Sequence, residues 1–378
     1  MSTGSGRFDV AVIGAGVFGA WTAYTLARSG ARVVLVDAFG AANARASSGD
    51  ESRIIRMCYG PDEIYTRWSA RSLRMWREFF AEMGREELFQ PCGVLWMAPR
   101  GHEGIAGSRA VLARCGVRFE EMEAQGIARR FPQIAPAEGC CGIYEPDSGA
   151  LLARQAVRAV VEAAVRAGVV FEREAVSGVA DAKRRYGGGT LVFACGAWLG
   201  GLFPEVLGGR LFATRQPVFY FGPRAGDRRF SSPEMPCWVD ETEPGMPYGL
   251  PDMESHGVKL GWHEQGESFD PDSGERVVGQ SEVESARTFL GARFPPLAGA
   301  PLVGARVCQY ENTGTGDFVI DRHPELRNVW LVGGGSGHGF KHGPAVGEYV
   351  AGRLAGTVRE ERRFALVRME EGSGRRVY

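Results

Sequence analysis

The sequence lacks the features that would commit a protein to a membrane, to secretion or to nucleic acid. No apolar run reaches the roughly 18 residues of a membrane span, and neither an apolar leader core nor a peroxisomal address stands at the ends. Acidic and basic residues nearly cancel, to a formal net charge of -1, so there is no strong field for a polyanion. We therefore expect a cytoplasmic protein without nucleic-acid or membrane partners.

Cysteine pairs are also lacking. The eight cysteines form no CxxC, and no histidine stands at zinc-ligand spacing from them. We therefore expect no metal site, and we expect most of the cysteines to be buried free thiols.

Lysine is scarce. Of 44 basic residues only Lys183, Lys259 and Lys341 are lysines, and the others are arginines. A lysine retained in such a chain is a candidate for a position that needs a compact ammonium group with a tunable pKa.

The chain is long enough for two domains, because 378 residues exceed the roughly 250–300 that one hydrophobic core serves. Buried-type strands alternate with helical patterns at residues 62–84 and 150–168, which predicts a parallel sheet. Residues 180–189 are interpreted as a hairpin or loop. From 213 to 305, short β-rich runs between turns predict an antiparallel sheet with one helix near 281–291.

These patterns predict an α/β (α+β) fold in which an antiparallel-sheet domain is inserted into a dinucleotide-binding domain. The predicted bounds are 1–90, 148–212 and 305–378 for the dinucleotide domain, and 91–147 and 213–304 for the substrate domain.

A glycine motif, Gly14-x-Gly16-x-x-Gly19, follows the first strand and begins a helix. The first glycine permits a tight turn, the second lets the backbone approach a pyrophosphate, and the third lets helix and strand pack closely. A second strand ends in Asp37, 18 residues after Gly19, where a carboxylate can accept from a ribose hydroxyl. The motif predicts a dinucleotide site; the alternative is a glycine-rich turn in an unrelated α/β domain.

A second glycine-rich turn, within LVGGGSGHGFKHGPAVGE, favours FAD over NAD. It also follows a strand and precedes a helix, whose positive end can stabilise the negative charge of a reduced flavin. A nicotinamide enzyme has no need for this second site.

Three segments carry a resemblance to a known family: SSGDESRIIRMCYG at 47–60, YGLPDMESHGVKLGWHEQGESFDPD at 248–272, and CQYENTGTGDFVIDRHPELRNVWLVGGGSGHGFKHGPAVGE at 308–348. They resemble the monomeric sarcosine oxidase family, FAD-dependent amine oxidases of the D-amino acid oxidase superfamily that include N-methyltryptophan oxidase. The resemblance implies a Rossmann-type FAD-binding domain with GxGxxG and an inserted antiparallel domain. This arrangement is glutathione reductase-like or p-hydroxybenzoate hydroxylase-like.

The resemblance implies a role for several side chains in catalysis. Arg56 and Lys341 fall where the family binds the substrate carboxylate, and Lys259 falls where a lysine near flavin N5 promotes reaction with O2. His263, Tyr248 and Tyr310 are expected around the cavity. The alternatives are a surface ion pair for Arg56, a strand residue with a satisfied ring for His263, and core positions for the tyrosines.

The resemblance also implies a set of FAD contacts. Cys308 falls where the family attaches the flavin through a thioether, and its alternative is one more buried thiol. The expected cofactor-binding residues are Gly14, Gly16, Val17, Phe18, Gly19, Asp37, Ser47, Ser48, Ser52, Arg53, Val176, Cys308, Gly335, Gly337, His338, Gly339 and Lys341.

Three departures from the family pattern stand out. The stretch Ser47–Ser52 lacks the histidine pair that often precedes the RIIR motif, the 172–190 region is short, and Gln309 is commonly apolar in relatives.

The expected activity is oxidation of a secondary amino acid by a monomer, with electrons passing from flavin to O2 and release of H2O2. One alternative is a dehydrogenase of the same fold that uses another electron acceptor. A second alternative is a flavin-binding subunit without turnover.

Overall fold

A computed structural model describes residues 7–371 of the chain. Its strands are β1 Val10–Ile13, β2 Val33–Val36, β3 Arg53–Ile55, β4 Phe89–Gln90, β5 Val94–Pro99, β6 Glu120–Glu123, β7 Cys140–Glu145, β8 Gly149–Leu151, β9 Val170–Glu172, β10 Thr190–Phe193, β11 Leu211–Phe221, β12 Cys237–Asp240, β13 Pro247–Leu250, β14 Val258–Trp262, β15 Leu302–Thr313, β16 Val319–Arg322 and β17 Val329–Gly333. Its α-helices are α1 Val17–Arg28, α2 Glu63–Met83, α3 Glu103–Arg114, α4 Ala124–Arg130, α5 Ala153–Arg166, α6 Val179–Tyr186, α7 Leu199–Leu202, α8 Pro204–Leu207, α9 Gln280–Arg293 and α10 Gly343–Leu354. Short 3-10 helices cover Glu86–Leu88, Gly196–Trp198, Arg228–Phe230, Pro295–Leu297, Phe340–His342, Arg362–Phe364 and Leu366–Glu371.

The opening strand–helix–strand unit forms as the sequence predicts. β1 and β2 pair in parallel and are buried along their whole length. Helix α1 ends just before Gly30, which takes a φ of 89° and donates its amide to the Ala27 carbonyl. The two strands belong to a six-stranded sheet in the order β16-β17-β10-β1-β2-β9, in which only β16 runs antiparallel to its neighbour.

The inserted sheet is mostly antiparallel, also as predicted. It contains eight strands in the order β15-β11-β14-β13-β12-β5-β7-β6, and the β12–β5 pair is its parallel member. The helices predicted at 62–84, 150–168 and 281–291 form as α2, α5 and α9. Strands β3, β8 and β4 make a third, small sheet.

The predicted domain bounds stay a prediction, and two strands run across them. β11 and β15 pair continuously from Leu211↔Thr313 to Val218↔Arg306 and beyond. The bounds at 212/213 and 304/305 therefore fall inside one antiparallel ladder.

One prediction about secondary structure was wrong. Residues 180–189 were interpreted as a hairpin or loop, but α6 covers most of them. Ala182 and Tyr186, four residues apart, are both buried on one helix face, and Asp181 pairs with Arg184 and Arg185 on the other. These local pairs stabilise the helix before the glycines at 187–189 end it.

No helix in the described range 7–371 is both long and apolar enough to cross a membrane.

Candidate active site

The first glycine turn has steric roles that match the sequence motif. Gly14 takes a φ of 103°, and a methyl group there would lie 2.2 Å from the Ala194 carbonyl oxygen. A methyl group on Gly19 would lie 1.8 Å from the Gly14 oxygen, so helix and strand pack too closely for a side chain. A methyl group on Gly16 would meet only the Ser48 hydroxyl, at 3.5 Å. Protein packing alone therefore does not require glycine at position 16, which agrees with a role toward a bound group.

Two side chains fix this turn. The Asp37 carboxylate accepts the Ala15 and Phe39 amides, each at 2.9 Å, and the Ser48 hydroxyl accepts the Val17 amide at 3.1 Å. Burial raises the pKa of Asp37 above its ordinary value, against the opposing effect of these bonds. Asp37 directly follows the last residue of β2, which is the position that the motif predicts for the acid.

A space begins at this turn, and we call it the flavin channel after the cofactor that the resemblance implies. Its lining residues are Gly16, Val17, Phe18, Ser47, Ser48, Arg53, Ala194, Gly196, Cys308, Gln309, Tyr310, Glu311, Val332, Gly335, Gly337, Gly339 and Phe340. Both glycine turns thus border one space, as the sequence predicts for a flavin that both of them contact.

A second space, the inner cavity, adjoins the flavin channel. Its lining residues are Ser52, Arg53, Ile54, Arg56, Trp96, Gln216, Val218, Val239, Met246, Tyr248, Leu250, His263, Cys308, Tyr310, Gly337, His338, Phe340 and Lys341. Five residues border both spaces: Arg53, Cys308, Tyr310, Gly337 and Phe340.

Arg56 reaches the inner cavity from the end of β3. Its guanidinium carbon lies 4.3 Å from the ring centroids of both Tyr59 and Trp96, and it donates to the Cys58 carbonyl. The buried Glu145 carboxylate accepts the amides of Met57 and Cys58 at 2.7 and 2.8 Å, which fixes the chain that follows Arg56.

Lys341 reaches the same cavity from the 3-10 helix after the second glycine turn. Its ammonium group donates to the Tyr59 hydroxyl and to the His338 carbonyl, both at 2.8 Å. The side chain is buried, and burial together with the positive charge of Arg56 holds its pKa well below the ordinary value. Two cations thus share one buried cavity, an arrangement that suits an anionic ligand.

The histidine and tyrosines predicted around the cavity also line it. The His263 ring lies 3.5 Å from the Tyr310 hydroxyl, and burial with the charges of Arg56 and Lys341 lowers its pKa to about 3. Tyr248 borders the same cavity, and burial raises its pKa to about 12. These side chains are therefore uncharged at neutral pH.

Cys308 lies at the junction of the channel and the cavity. Arg53 donates to its sulfur at 3.4 Å and to the Ser47 carbonyl at 2.6 Å. The Ser47 hydroxyl in turn donates to the Gln309 carbonyl at 2.8 Å. The segment that lacks the histidine pair therefore packs directly against the strand that carries Cys308.

Lys259 does not line either space. Its ammonium group donates to Asp50 at 2.5 Å and to the Ser52 carbonyl at 2.9 Å, and both ionic side chains are almost fully buried. Arg53, at 2.5 Å, and the Tyr220 hydroxyl, at 2.6 Å, bond the same carboxylate. Burial alone would raise the pKa of Asp50, but the charges of Lys259 and Arg53 outweigh burial and lower it.

Val176 also lies outside both spaces. It follows β9 and packs against a buried cluster that includes Val34 and Val36. Its expected backbone contact with adenine stays a prediction.

A model of the family described as FAD dependent oxidoreductase, DAO, matches residues 9–353 of the chain. The chain belongs to the DAO family.

Two relatives and one solved structure show which members of the DAO family this chain is similar to. A monomeric sarcosine oxidase from Bacillus sp. (strain B-0618) is 32% identical over 94% of this chain and 94% of its own length. N-methyl-L-tryptophan oxidase from Escherichia coli is 30% identical over 91% of this chain and 94% of its own length. The crystal structure of L-proline dehydrogenase from P.horikoshii, 20% identical, matches with a TM-score of 0.83 over 98% of this chain and 100% of that chain. The predicted resemblance, the fold and FAD as the cofactor are confirmed.

The residues of this DAO-family chain fit FAD. The first turn offers the backbone at Gly16 and the start of α1 to a pyrophosphate, and the channel leads from there to Cys308 and the cavity. The channel also holds two buried polar atoms that have no hydrogen-bond partner among the described residues, Gln309 Nε2 and Glu311 Oε1. A cofactor with many hydroxyl and phosphate oxygens can bond such atoms.

Sequence reasoning missed two residues of the DAO site, Tyr59 and Asp50. Tyr59 bonds Lys341, His338 and His342 at once, and Asp50 binds Lys259 and Arg53. Both missed residues lie inside the 47–60 segment, so the resemblance pointed to the segment but not to these side chains.

Proposed function

We propose that this protein is an FAD-dependent oxidase of a secondary amino acid, either N-alkylated or cyclic. The observation that carries the proposal is the convergence of two buried cations, Arg56 and Lys341, on a cavity that adjoins the flavin channel. Both hydrogen-bond acceptors of Lys341 are uncharged groups, so a substrate carboxylate would be the anion that bonds its ammonium group directly. Relatives named sarcosine oxidase and N-methyl-L-tryptophan oxidase support this substrate class.

The side chains of the cavity hold and orient the substrate. Arg56 offers a planar fork and Lys341 a point charge, which together fix the carboxylate and thereby the amine. The same two charges, in a buried space, favour the neutral amine over the ammonium form. His263 is uncharged, with a pKa of about 3, so it serves as a hydrogen-bonding wall and not as a strong base. Bound FAD would accept the hydride equivalent from the substrate C–H bond.

Paired substrates test the role of the carboxylate. Pipecolate and piperidine differ only in the carboxylate, as do sarcosine and dimethylamine. We expect anaerobic mixing to bleach the flavin with the amino acids far faster than with the amines. Arg56→Gln should weaken the binding of the amino acids about a hundredfold, because it removes one partner of the buried pair between the guanidinium group and the substrate carboxylate. The binding of the amines should stay unchanged. If no amine of either kind bleaches the flavin, the proposal fails.

We further propose that Cys308 forms a thioether with the 8α-methyl of the flavin, a reaction in which the S–H bond and one methyl C–H bond break and O2 takes up the two electrons and two protons as H2O2. The sulfur borders both the channel and the cavity, and Arg53 holds it from one side. The yellow colour should stay with the chain after denaturation and precipitation. Cys308→Ser should release all the flavin under the same treatment, and complete release from the unaltered protein would contradict the attachment.

The electron acceptor is O2 in this proposal, with Lys259 as the promoting cation. A second candidate, a dehydrogenase with another acceptor, is favoured by one observation: Lys259 is bound to Asp50 and lies outside the inner cavity. In that arrangement the carboxylate offsets the charge that would stabilise superoxide.

Stopped-flow measurement of the two half-reactions separates the candidates. For an oxidase, Lys259→Met should slow flavin reoxidation by O2 about a hundredfold and flavin reduction far less. Lys183→Met is the matched control, because Lys183 is an exposed residue of α6. Equal slowing of both half-reactions, or fast reoxidation only by an artificial acceptor, would support the dehydrogenase. Release of peroxide during turnover would exclude a non-catalytic flavin subunit.

We retain a cytoplasmic monomer as part of the proposal. Relatives named monomeric sarcosine oxidase support the monomer. Sedimentation of the holoenzyme at micromolar concentration checks it, and a stable dimer would contradict it.

A further inference from the structure

Two neighbouring side chains of β15 present unpartnered polar atoms to the flavin channel. Gln309 and Glu311 are two residues apart on one strand, so they share a face. Both are more than nine-tenths buried, and both line the channel. Gln309 Nε2 and Glu311 Oε1 have no hydrogen-bond partner among the described residues. Buried polar atoms of this kind need a hydrogen-bond partner, and a molecule bound in the channel would supply it.

The orientation of Gln309 is fixed by Arg276. The guanidinium group donates to Gln309 Oε1 at 2.7 Å. Arginine can only donate, so the amide oxygen must face Arg276 and the amide nitrogen is left to donate elsewhere.

The surroundings of Glu311 provide no positive charge. Within the described range, no lysine, arginine or histidine nitrogen forms an ion pair with its carboxyl group. Main-chain amides of Gly334 and Gly335 bond it from the second glycine turn, and Leu199 packs nearby. The Cys195 thiol is the titratable group that faces it from the loop after β10. Burial raises the pKa of Glu311 to about 7.

FAD makes an ionised Glu311 still less favourable. The cofactor brings a pyrophosphate, which is anionic, into the same buried channel, and like charges repel strongly where water is excluded. A protonated carboxyl group avoids this repulsion and also gains a hydrogen to donate to a cofactor oxygen.

We propose that Glu311 binds FAD as a neutral carboxylic acid that donates a hydrogen bond to the cofactor, so that FAD binding above neutral pH takes up one proton. The proton comes from solvent and rests on the Glu311 carboxyl group. Gln309 donates to the cofactor beside it without a change in protonation.

The experiment measures the FAD dissociation constant against pH in a Cys308→Ala background, where binding is reversible. In this background the dissociation constant should rise about tenfold per pH unit from pH 7.5 to 9, because each FAD bound then needs a proton. Adding Glu311→Gln should make it vary by less than about twofold over the same range, because the amide donates without ionising. Calorimetry at pH 8 in two buffers of different ionisation enthalpy should count about one proton taken up per FAD in the background, and none in Glu311→Gln.

Gln309→Leu separates this role from a general loss of contacts. It should raise the dissociation constant by about the same factor at every pH, because its donor does not titrate. Equal pH slopes with and without Glu311→Gln, or no proton uptake in the background at pH 8, would overturn the proposal. If Glu311→Gln does not fold, Glu311→Met serves in its place and should also remove the pH slope.

Discussion

Two buried carboxyl groups of this protein have opposite electrostatic surroundings. Asp50 and Glu311 are 2% and 7% exposed, respectively. Asp50 is bonded by Lys259, Arg53 and Tyr220, and its pKa is lowered despite burial. Glu311 accepts main-chain amides of the second glycine turn, but its Oε1 has no hydrogen-bond partner within residues 7–371, and burial raises its pKa to about 7.

The difference shows that burial does not decide the charge of a carboxyl group here. Burial favours the neutral acid at both positions, and only the adjacent cations reverse this at Asp50. One acid is therefore a permanent anion that organises two cations beside the cavity. The other is an acid whose proton depends on pH and on what fills the channel.

Removing the anion should have the largest effect. Asp50→Asn leaves Lys259 and Arg53 buried without their counter-charge, which should cost about 3–5 kcal/mol in the free energy of unfolding. The loss should shrink as the pH falls below 3.8, because the unfolded parent then takes up a proton at Asp50 while the folded parent, whose pKa is lowered, keeps the ionised form. Urea unfolding checks this, with Asp9→Asn as the control, because Asp9 pairs with Arg32 at the surface. A loss of stability no larger than that of the control would contradict the role of Asp50 as the counter-charge of Lys259 and Arg53.

Neutralising the other acid should stabilise the FAD-free protein at high pH, in the Cys308→Ala background. The pKa of Glu311 is about 7 in the folded chain and 4.5 ordinarily, so ionisation of the unfolded chain favours unfolding as the pH rises from 4.5 to 7. The glutamine of Glu311→Gln does not titrate, so this variant escapes the loss. The difference in free energy of unfolding between variant and parent should therefore shift by about 3 kcal/mol in favour of the variant between pH 4.5 and 8. Thermal or urea unfolding at both pH values measures the change. A change of the opposite sign would show that folding lowers the pKa of Glu311 and would contradict the contrast with Asp50.

A smaller change sharpens the contrast. Tyr220→Phe removes the hydroxyl that donates to Asp50 at 2.6 Å. The cations remain, so we expect a loss of about 1–2 kcal/mol in the free energy of unfolding. Tyr24→Phe, at a half-buried position of α1, is the control in the same urea titration. A loss as large as that of Asp50→Asn would mean that hydrogen bonding, and not charge, holds Asp50.

Much of the fold could be predicted from short-range pattern. The glycines at 14 and 19, the buried strands around them and the second glycine turn each carry a local signal, because a tight turn or a close approach admits few residue types. Helix α6 was not predicted because its segment is short and charged. Only Ala182 and Tyr186, which are buried on one face of the helix, indicate it.

The side-chain contacts of the site that could not be predicted join residues that are far apart in the sequence. Asp50 and Lys259 are 209 positions apart, and Tyr59 and Lys341 are 282 apart. No periodicity connects such positions. The resemblance placed Lys259 near flavin N5, but the partner that offsets its charge belongs to the segment where this chain departs from the family pattern.

The long ladder between β11 and β15 ties Cys308 and Tyr310 to the inserted sheet. Both strands belong to the eight-stranded sheet, and their pairing runs from Leu211↔Thr313 to Phe221↔Leu302. Cys308 and Tyr310 lie inside this ladder, opposite Gln216 and Thr214. Any tilt of the inserted sheet against the six-stranded sheet would therefore move these two residues relative to the glycine turn at Gly14 to Gly19.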